Sequence, residues 1–181
     1  RIENIIENAT IDENEKFFLA RMLYPHIDAA DYVELVKTNK GEKQNLDLVI
    51  KTEDSSGRIY SIRPPFHPKE IARFQTIISK ENLSATFTVN HEFLFIINDR
   101  NTVVGGLYYK RKNNSRVHLE WVVIRKKYQR LSLSKRLMDD FFNRMRQGGV
   151  NIVTVGFYHE NFFYKQGFNI DQSYGGLVKK L

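Results

Sequence analysis

Between Glu120 and Leu137 the chain reads EWVVIRKKYQRLSLSKRL, and this stretch holds most of the residues whose types and spacing could do chemistry. Glu120 interrupts the run from Leu119 to Ile124, which is otherwise apolar and rich in β-branched residues, as in a strand covered on both faces. A carboxylate drawn partly out of water in that setting is suited to accept a proton from a reacting group. Arg125, Lys126 and Lys127 then end the strand, and Ser132 or Ser134 can cap a helix. From there Leu133, Leu137, Met138, Phe141, Phe142 and Met145 fall on one helical face, up to Gly148 and Gly149. A strand passing through a basic turn into a helix leaves several backbone N–H groups unpaired at the positive end of the dipole. With Arg125, Arg130 and Lys135 around them, these groups make a site for a pyrophosphate.

The other reactive side chains give less. Glu120 has a plain alternative role, as a strand-rim carboxylate paired with Arg116 or His118, and Tyr164 stands beside Phe162 and Phe163, where aromatic rings mostly pack. His118 and His159 could carry protons, whereas His26, His67 and His91 are scattered and suggest nothing. No histidine has a partner at metal-ligand spacing, so no metal is expected. Without cysteine there is no disulfide, no thiolate zinc site and no cysteine nucleophile. A Gly-rich nucleotide loop and a Gly-x-Ser-x-Gly elbow are also missing from the sequence.

The elements that must position these residues are legible from about residue 58 onward. Pro68 opens a helix with Ile71, Phe74 and Ile78 on its apolar stripe. Strands over 93–97 and 102–109 flank the turn residues Asn98, Asp99, Arg100 and Asn101, and Gly105 and Gly106 in the second allow close approach of a neighbouring chain. Residues 110–115 read as a polar turn, 116–124 as the returning strand, and 151–155 as a short buried strand after the main helix. A short helix in 157–168 and a last strand over 173–181 close the chain. Upstream, helices are expected over 12–24 and 28–37, and 46–51 with 58–62 as a hairpin around Gly57.

A chain of 181 residues with 41% hydrophobic and 13% aromatic residues has the means for one packed domain plus an extension. No apolar run approaches the length of a membrane span, and no secretory signal is visible, so a cytoplasmic setting is expected; the chain starts at Arg1, as a processed product or fragment would. The net charge of +7 suits a polyanionic partner. Nucleic acid is one such partner, through Lys110, Arg111, Lys112 and Arg116 and the basic turn, but no nucleic-acid-binding motif accompanies them and half lie in expected turns.

The stretch Gln129, Arg130, Leu131, Ser132, Leu133, Ser134 resembles the acyl-coenzyme A signature of the GNAT superfamily of N-acyltransferases, Gln/Arg-x-x-Gly-x-Gly/Ala, with serine in place of both glycines. Phosphate binding by the backbone survives that exchange if neither serine needs positive φ. Three further segments are similar to parts of the family: IYSIRPPFHPKEIARFQTII to its first strand and helix, VVGG at 103–106 to its third strand, and FYHENFFYKQGF at 157–168 to its closing motif. In the last, Tyr164 stands three residues before Gly167 instead of four, and Phe163 takes the fourth place.

The resemblance implies a mixed α/β (α+β) fold, with a mostly antiparallel central sheet flanked by helices, over residues 58–181, and an N-terminal helical and hairpin extension over 1–57. It also implies transfer of an acetyl or other acyl group from acyl-CoA, with acetyl-CoA as co-substrate, to an amine. In that reading Val122, Val123 and Ile124 line the pantetheine and offer a backbone N–H to the thioester carbonyl. Gln129, Arg130, Leu131, Ser132, Leu133, Ser134 and Lys135 hold the pyrophosphate, with Asn161 as a further contact. Glu120 serves as base and Tyr164 as acid, Tyr158 being the substitute. A catalytically silent domain that binds acyl-CoA or a protein partner is the alternative, motivated by the two serines and the displaced tyrosine. The acceptor, the acyl length and a possible homodimer stay open.

Overall fold

A computed structural model describes residues 48–81 and 83–181. The helices expected over 12–24 and 28–37 lie outside the described residues, as does most of the extension. One eight-stranded sheet runs through the rest, in spatial order β1-β2-β3-β4-β5-β6-β8-β7. The strands are β1 (Ile50–Glu53), β2 (Ile59–Arg63), β3 (His91–Ile97), β4 (Val103–Asn113), β5 (Arg116–Ile124), β6 (Ile152–Val155), β7 (Asn169–Asp171) and β8 (Gly176–Lys180). Helix α1 (Pro68–Lys80) covers one face, and α2 (Leu133–Gln147) with the short α3 (Glu160–Lys165) the other. All strand pairs are antiparallel except β5 with β6. The expected mixed, mostly antiparallel sheet between helices is borne out. The boundary expected between residues 57 and 58 falls in the β1–β2 turn, and β1 is the edge strand of the same sheet.

Two apolar layers hold the helices to the sheet. Leu133, Leu137, Met138, Phe141, Phe142 and Met145, the stripe read from the sequence, are all buried against Leu94, Leu107, Leu119, Val153 and Phe163. On the other face Ile71, Phe74, Ile77 and Ile78 pack on Phe93, Phe95, Tyr108 and Val123. Arg144 fastens α2 to the first hairpin, donating to the carbonyls of Leu48 and Ile62 at 3.2 and 3.1 Å while its Nε meets Asp140 at 2.6 Å.

Gly105 and Gly106 sit at the close approach anticipated for them. A Cβ on Gly105 would lie 2.7 Å from the Val123 carbonyl oxygen, and one on Gly106 2.7 Å from that of Leu94. One expectation is corrected. Residues 110–113 continue β4 instead of forming a turn, because the bonded ladder to β5 outweighs the low strand preference of a charged run. The last strand expected within 173–181 is β8, and a strand not expected from the sequence, β7, pairs with it through a 3₁₀ turn over Gln172–Tyr174 and Gly175 at φ +66.

Candidate active site

The geometry of the site is set by where β5 loses its neighbour. Residues 116–119 pair with 152–155 of β6, and there β6 ends. Beyond Leu119, the edge of β5 that faces β6 has no strand against it among the described residues, while its other edge stays bonded to β4 as far as Ile124. This splay opens a backbone edge along Val122, Val123 and Ile124. Val123 and Ile124 are buried in the two cores and Val122 is half-buried, so their side chains build the walls while the main chain faces the gap.

The edge leads straight into the turn read as a phosphate site. A 3₁₀ turn, Lys126–Tyr128, is followed by Gln129, whose amide donates to the Ile124 carbonyl at 2.9 Å and so fixes the end of β5. The carbonyl of Leu131 accepts from the Ser55 N–H at 3.0 Å, which ties the loop to the β1–β2 turn. That turn is braced by Asp54, whose carboxylate accepts from the Ser56 and Arg58 N–H groups and from the Ser56 and Tyr60 hydroxyls. Burial alone would raise its pKa; the hydrogen bonds outweigh burial and hold it at about 2.

Arg130 and Ser132 both adopt the left-handed conformation, at φ +63 and +65. One of the two serines therefore occupies a position that favours glycine, against the condition set from sequence, and the backbone takes the shape with strain in place of a glycine. Ser132 is the N-cap of α2 but its side chain makes no capping bond, contrary to the expectation that a serine caps the helix. The first N–H groups of α2 are left without a side-chain cap and point outward beside exposed Arg130 and Lys135, the latter paired with Asp139 at 2.9 Å. Leu133 is buried and anchors the loop, and Ser134 is half-buried. A groove of about 500 Å³ continues from Lys135 along α2, with Arg146, Lys165 and Lys179 on its walls.

Glu120 stands at the point where the splay begins. In the β4–β5 ladder Tyr108 faces Trp121 and Tyr109 faces Leu119, so Glu120 is the extra residue of a β-bulge. A bulge re-aims a side chain. Here it turns the carboxylate, about one-third exposed, onto the α1 side of the sheet, with Oε1 3.6 Å from His91 Nε2. Its nearest basic partner is thus His91, in place of the expected Arg116 or His118. The Thr88 N–H donates to His91 Nδ1 at 3.0 Å, which leaves the neutral ring's proton on Nε2, towards Glu120. Burial lowers the His91 pKa against the pull of Glu120, with Lys110 and Lys112 also lowering it. His118 is shifted down in the same way, chiefly by burial, and its Nδ1 lies 2.8 Å from the Thr154 hydroxyl.

Two tyrosines complete this side. Tyr108 packs edge-on against His91, and burial together with the Glu120 charge pushes its hydroxyl up to about 12. Tyr158 packs against Trp121 at 4.2 Å between ring centroids, and its buried hydroxyl has no hydrogen-bond partner among the described residues. Burial first, then the charge of Glu120, raises its pKa strongly. Tyr164, on α3, is 42% exposed, and Asn161 is exposed on the same helix. The one-residue offset noted in the sequence places Phe163 in the core and leaves Tyr164 on the outer surface of α3. His91 and Tyr108 went unmarked in the sequence, since nothing local distinguishes them; only strand pairing brings them to Glu120.

A family model described as the acetyltransferase (GNAT) domain matches residues 62–174. No curated protein sequence matches the chain. Among solved structures, the GNAT domain of S. lividans PAT is similar with a TM-score of 0.58 at 10% identity, over 77% of this chain and 100% of that one. A GNAT family acetyltransferase from Elizabethkingia anophelis with acetyl-CoA bound gives 0.53 at 14% identity, over 67% and 98%. N-acetylglutamate synthase from Neisseria gonorrhoeae, complexed with coenzyme A and N-acetyl-glutamate, gives 0.56 at 15% identity, over 67% of this chain and 35% of that one. At these identities the likeness is one of fold.

Proposed function

The chain belongs to the GNAT acetyltransferase family, and from that premise we propose that it moves an acetyl group from acetyl-CoA to an amine, with Glu120 as the general base. The observation that carries the reading is the open edge of β5, which begins at Glu120 and ends at the N-terminus of α2, a helix with no side-chain cap. The residues present fit the co-substrate. Uncapped N–H groups, Arg130 and Lys135 suit a pyrophosphate, and the edge along Val122–Ile124, unpaired among the described residues, suits an amide-bearing pantetheine arm.

Acetyl-CoA supplies the activated thioester, whose C–S bond breaks as the amine nitrogen bonds to the carbonyl carbon. A backbone N–H of the β5 edge polarises the carbonyl oxygen. Glu120 takes the proton that the amine must lose, directly or through one water. His91, whose Nε2–H faces the Glu120 carboxylate from 3.6 Å, is a positioning residue. The Tyr158 hydroxyl, buried on the Glu120 side, serves the departing sulfur in the role first read for Tyr164. A neutral phenol with a raised pKa is a hydrogen-bond donor throughout, which is what a developing thiolate needs.

Calorimetric titration with acetyl-CoA and longer acyl-CoAs at moderate salt, followed by thiol release in the presence of amines, tests the reading. Micromolar binding, about 8 kcal/mol, with amine-dependent thiol release supports transfer, and the ranking of acyl chains gives the donor. Binding without release to any amine would put the silent acyl-CoA-binding domain in its place. Absence of binding would overturn both.

A further inference from the structure

The face that carries Glu120 also carries a row of cations for which the transfer chemistry has no use. His91 faces Lys110 across β3 and β4, and Lys110 faces His118 across β4 and β5, so the three side chains share one face. Arg116, two residues before His118, lies on that face too. Lys112, at a second irregularity in the β4–β5 ladder, is near enough for its charge to act on both histidines, and Arg116 acts on His118. Glu92, which pairs with Arg111 at 3.0 Å, alternates with His91 and lies on the opposite face. Around Glu120 the described residues therefore set three cations against one carboxylate.

Arg116 adds a second observation. Its guanidinium lies 4.6 Å over the Tyr174 ring, and its buried Nε has no hydrogen-bond partner among the described residues. A buried charged donor without a partner calls for an acceptor, and a carboxylate or phosphate matches the guanidinium fork.

We infer that the acceptor is an amine that also carries an anionic group, its amine at Glu120 and its anion in the row formed by Lys110, Lys112 and Arg116. This rests on the acyl-transfer reading. With about 3.3 Å of rise per strand residue, the backbone positions of the row run from about 7 Å beyond Glu120, at Lys110 and His118, to about 13 Å at Arg116, whose guanidinium reaches over Tyr174. An anionic group is drawn to the row by opposite charge, while a polyamine or a lysine-rich peptide meets three like charges there.

Paired acceptors test it: glutamate against butylamine, phosphoethanolamine against ethanolamine, and spermidine as a polycation, each with acetyl-CoA. The acidic member of a pair is acetylated with kcat/KM at least tenfold above its neutral counterpart, and raised salt narrows the gap; carboxylate against phosphate shows which anion is preferred. Lys112→Glu and Arg116→Gln raise KM for the acidic amine at least tenfold, with acetyl-CoA affinity, measured by calorimetry, as the control for folding. Equal or better use of a neutral amine or of spermidine overturns the inference and leaves acyl transfer standing. Calorimetry of glutamate and phosphoethanolamine with CoA bound separates the remaining outcomes. Binding without acetylation upholds the anion row and overturns transfer, and neither binding nor acetylation of any acidic amine overturns the row.

Discussion

The phosphate loop and the platform around Glu120 are built in opposite ways. The loop is one stretch of chain, residues 124–135, shaped by its own dihedral angles and held by contacts at Gln129, Leu131 and Leu133. The platform takes His91 from β3, Tyr108 and Lys110 from β4, His118 and Glu120 from β5, and Tyr158 from beyond β6. Variants in the loop should therefore act on cofactor affinity and local stability, and variants on the platform on the chemical step.

The sharpest break in that contrast is Glu120→Gln. It keeps the size of the side chain, removes the base, and should lower kcat by about 10² to 10⁴ while the Kd for acetyl-CoA, measured by calorimetry, stays within threefold. His91→Gln tests whether the platform works as a unit. A positioning role predicts about a tenfold loss of kcat, less than the roughly 10²-fold that a 1 Å misplacement can bring, with KM for acetyl-CoA unchanged and the pH–rate profile altered. A purely structural role would move stability and leave that profile where it was.

In the loop, Ser132→Gly removes the cost of holding a side chain at φ +65 and should raise stability in urea by about 1 kcal/mol. Since the backbone N–H is retained, acetyl-CoA affinity should hold; a large loss of affinity would mean that the serine hydroxyl itself is needed.

The smallest effect is in pH. His91 and His118 have folded pKa values below their ordinary 6.5. Between the folded and unfolded values the unfolded chain binds more protons, so stability rises with pH through that window and falls as pH drops below about 6.5. Urea midpoints at pH 7.5 and 5.5 should show this fall, reduced in His91→Gln. An identical fall in the variant would remove His91 from the account.

Much of this was legible because it is local. The stripe from Leu133 to Met145, the turn at Asn98–Asn101, the glycine pair in β4 and the basic turn before α2 are all set by spacings of a few residues, and each forms where expected. Glu120 could be singled out, as the one charge in the apolar run 119–124, but not the partner it would meet. Residues 110–113 were misread because propensity favours a turn and only the ladder to β5 makes them a strand. The positive φ of Ser132 was equally hidden, since serine is not a residue that signals it.

By itself the sequence determined the order of the elements, the two apolar faces that close on the sheet, and the strand–turn–helix junction, because hydrophobic periodicity and turn chemistry act over a few residues. The tertiary structure alone decided which side chains stand around Glu120. That depended on a one-residue bulge, on the end of β6 at Val155, and on the cross-strand register that sets His91, Lys110 and His118 side by side. Register is a property of paired strands, and a shift of one residue would have turned each of those side chains to the other face.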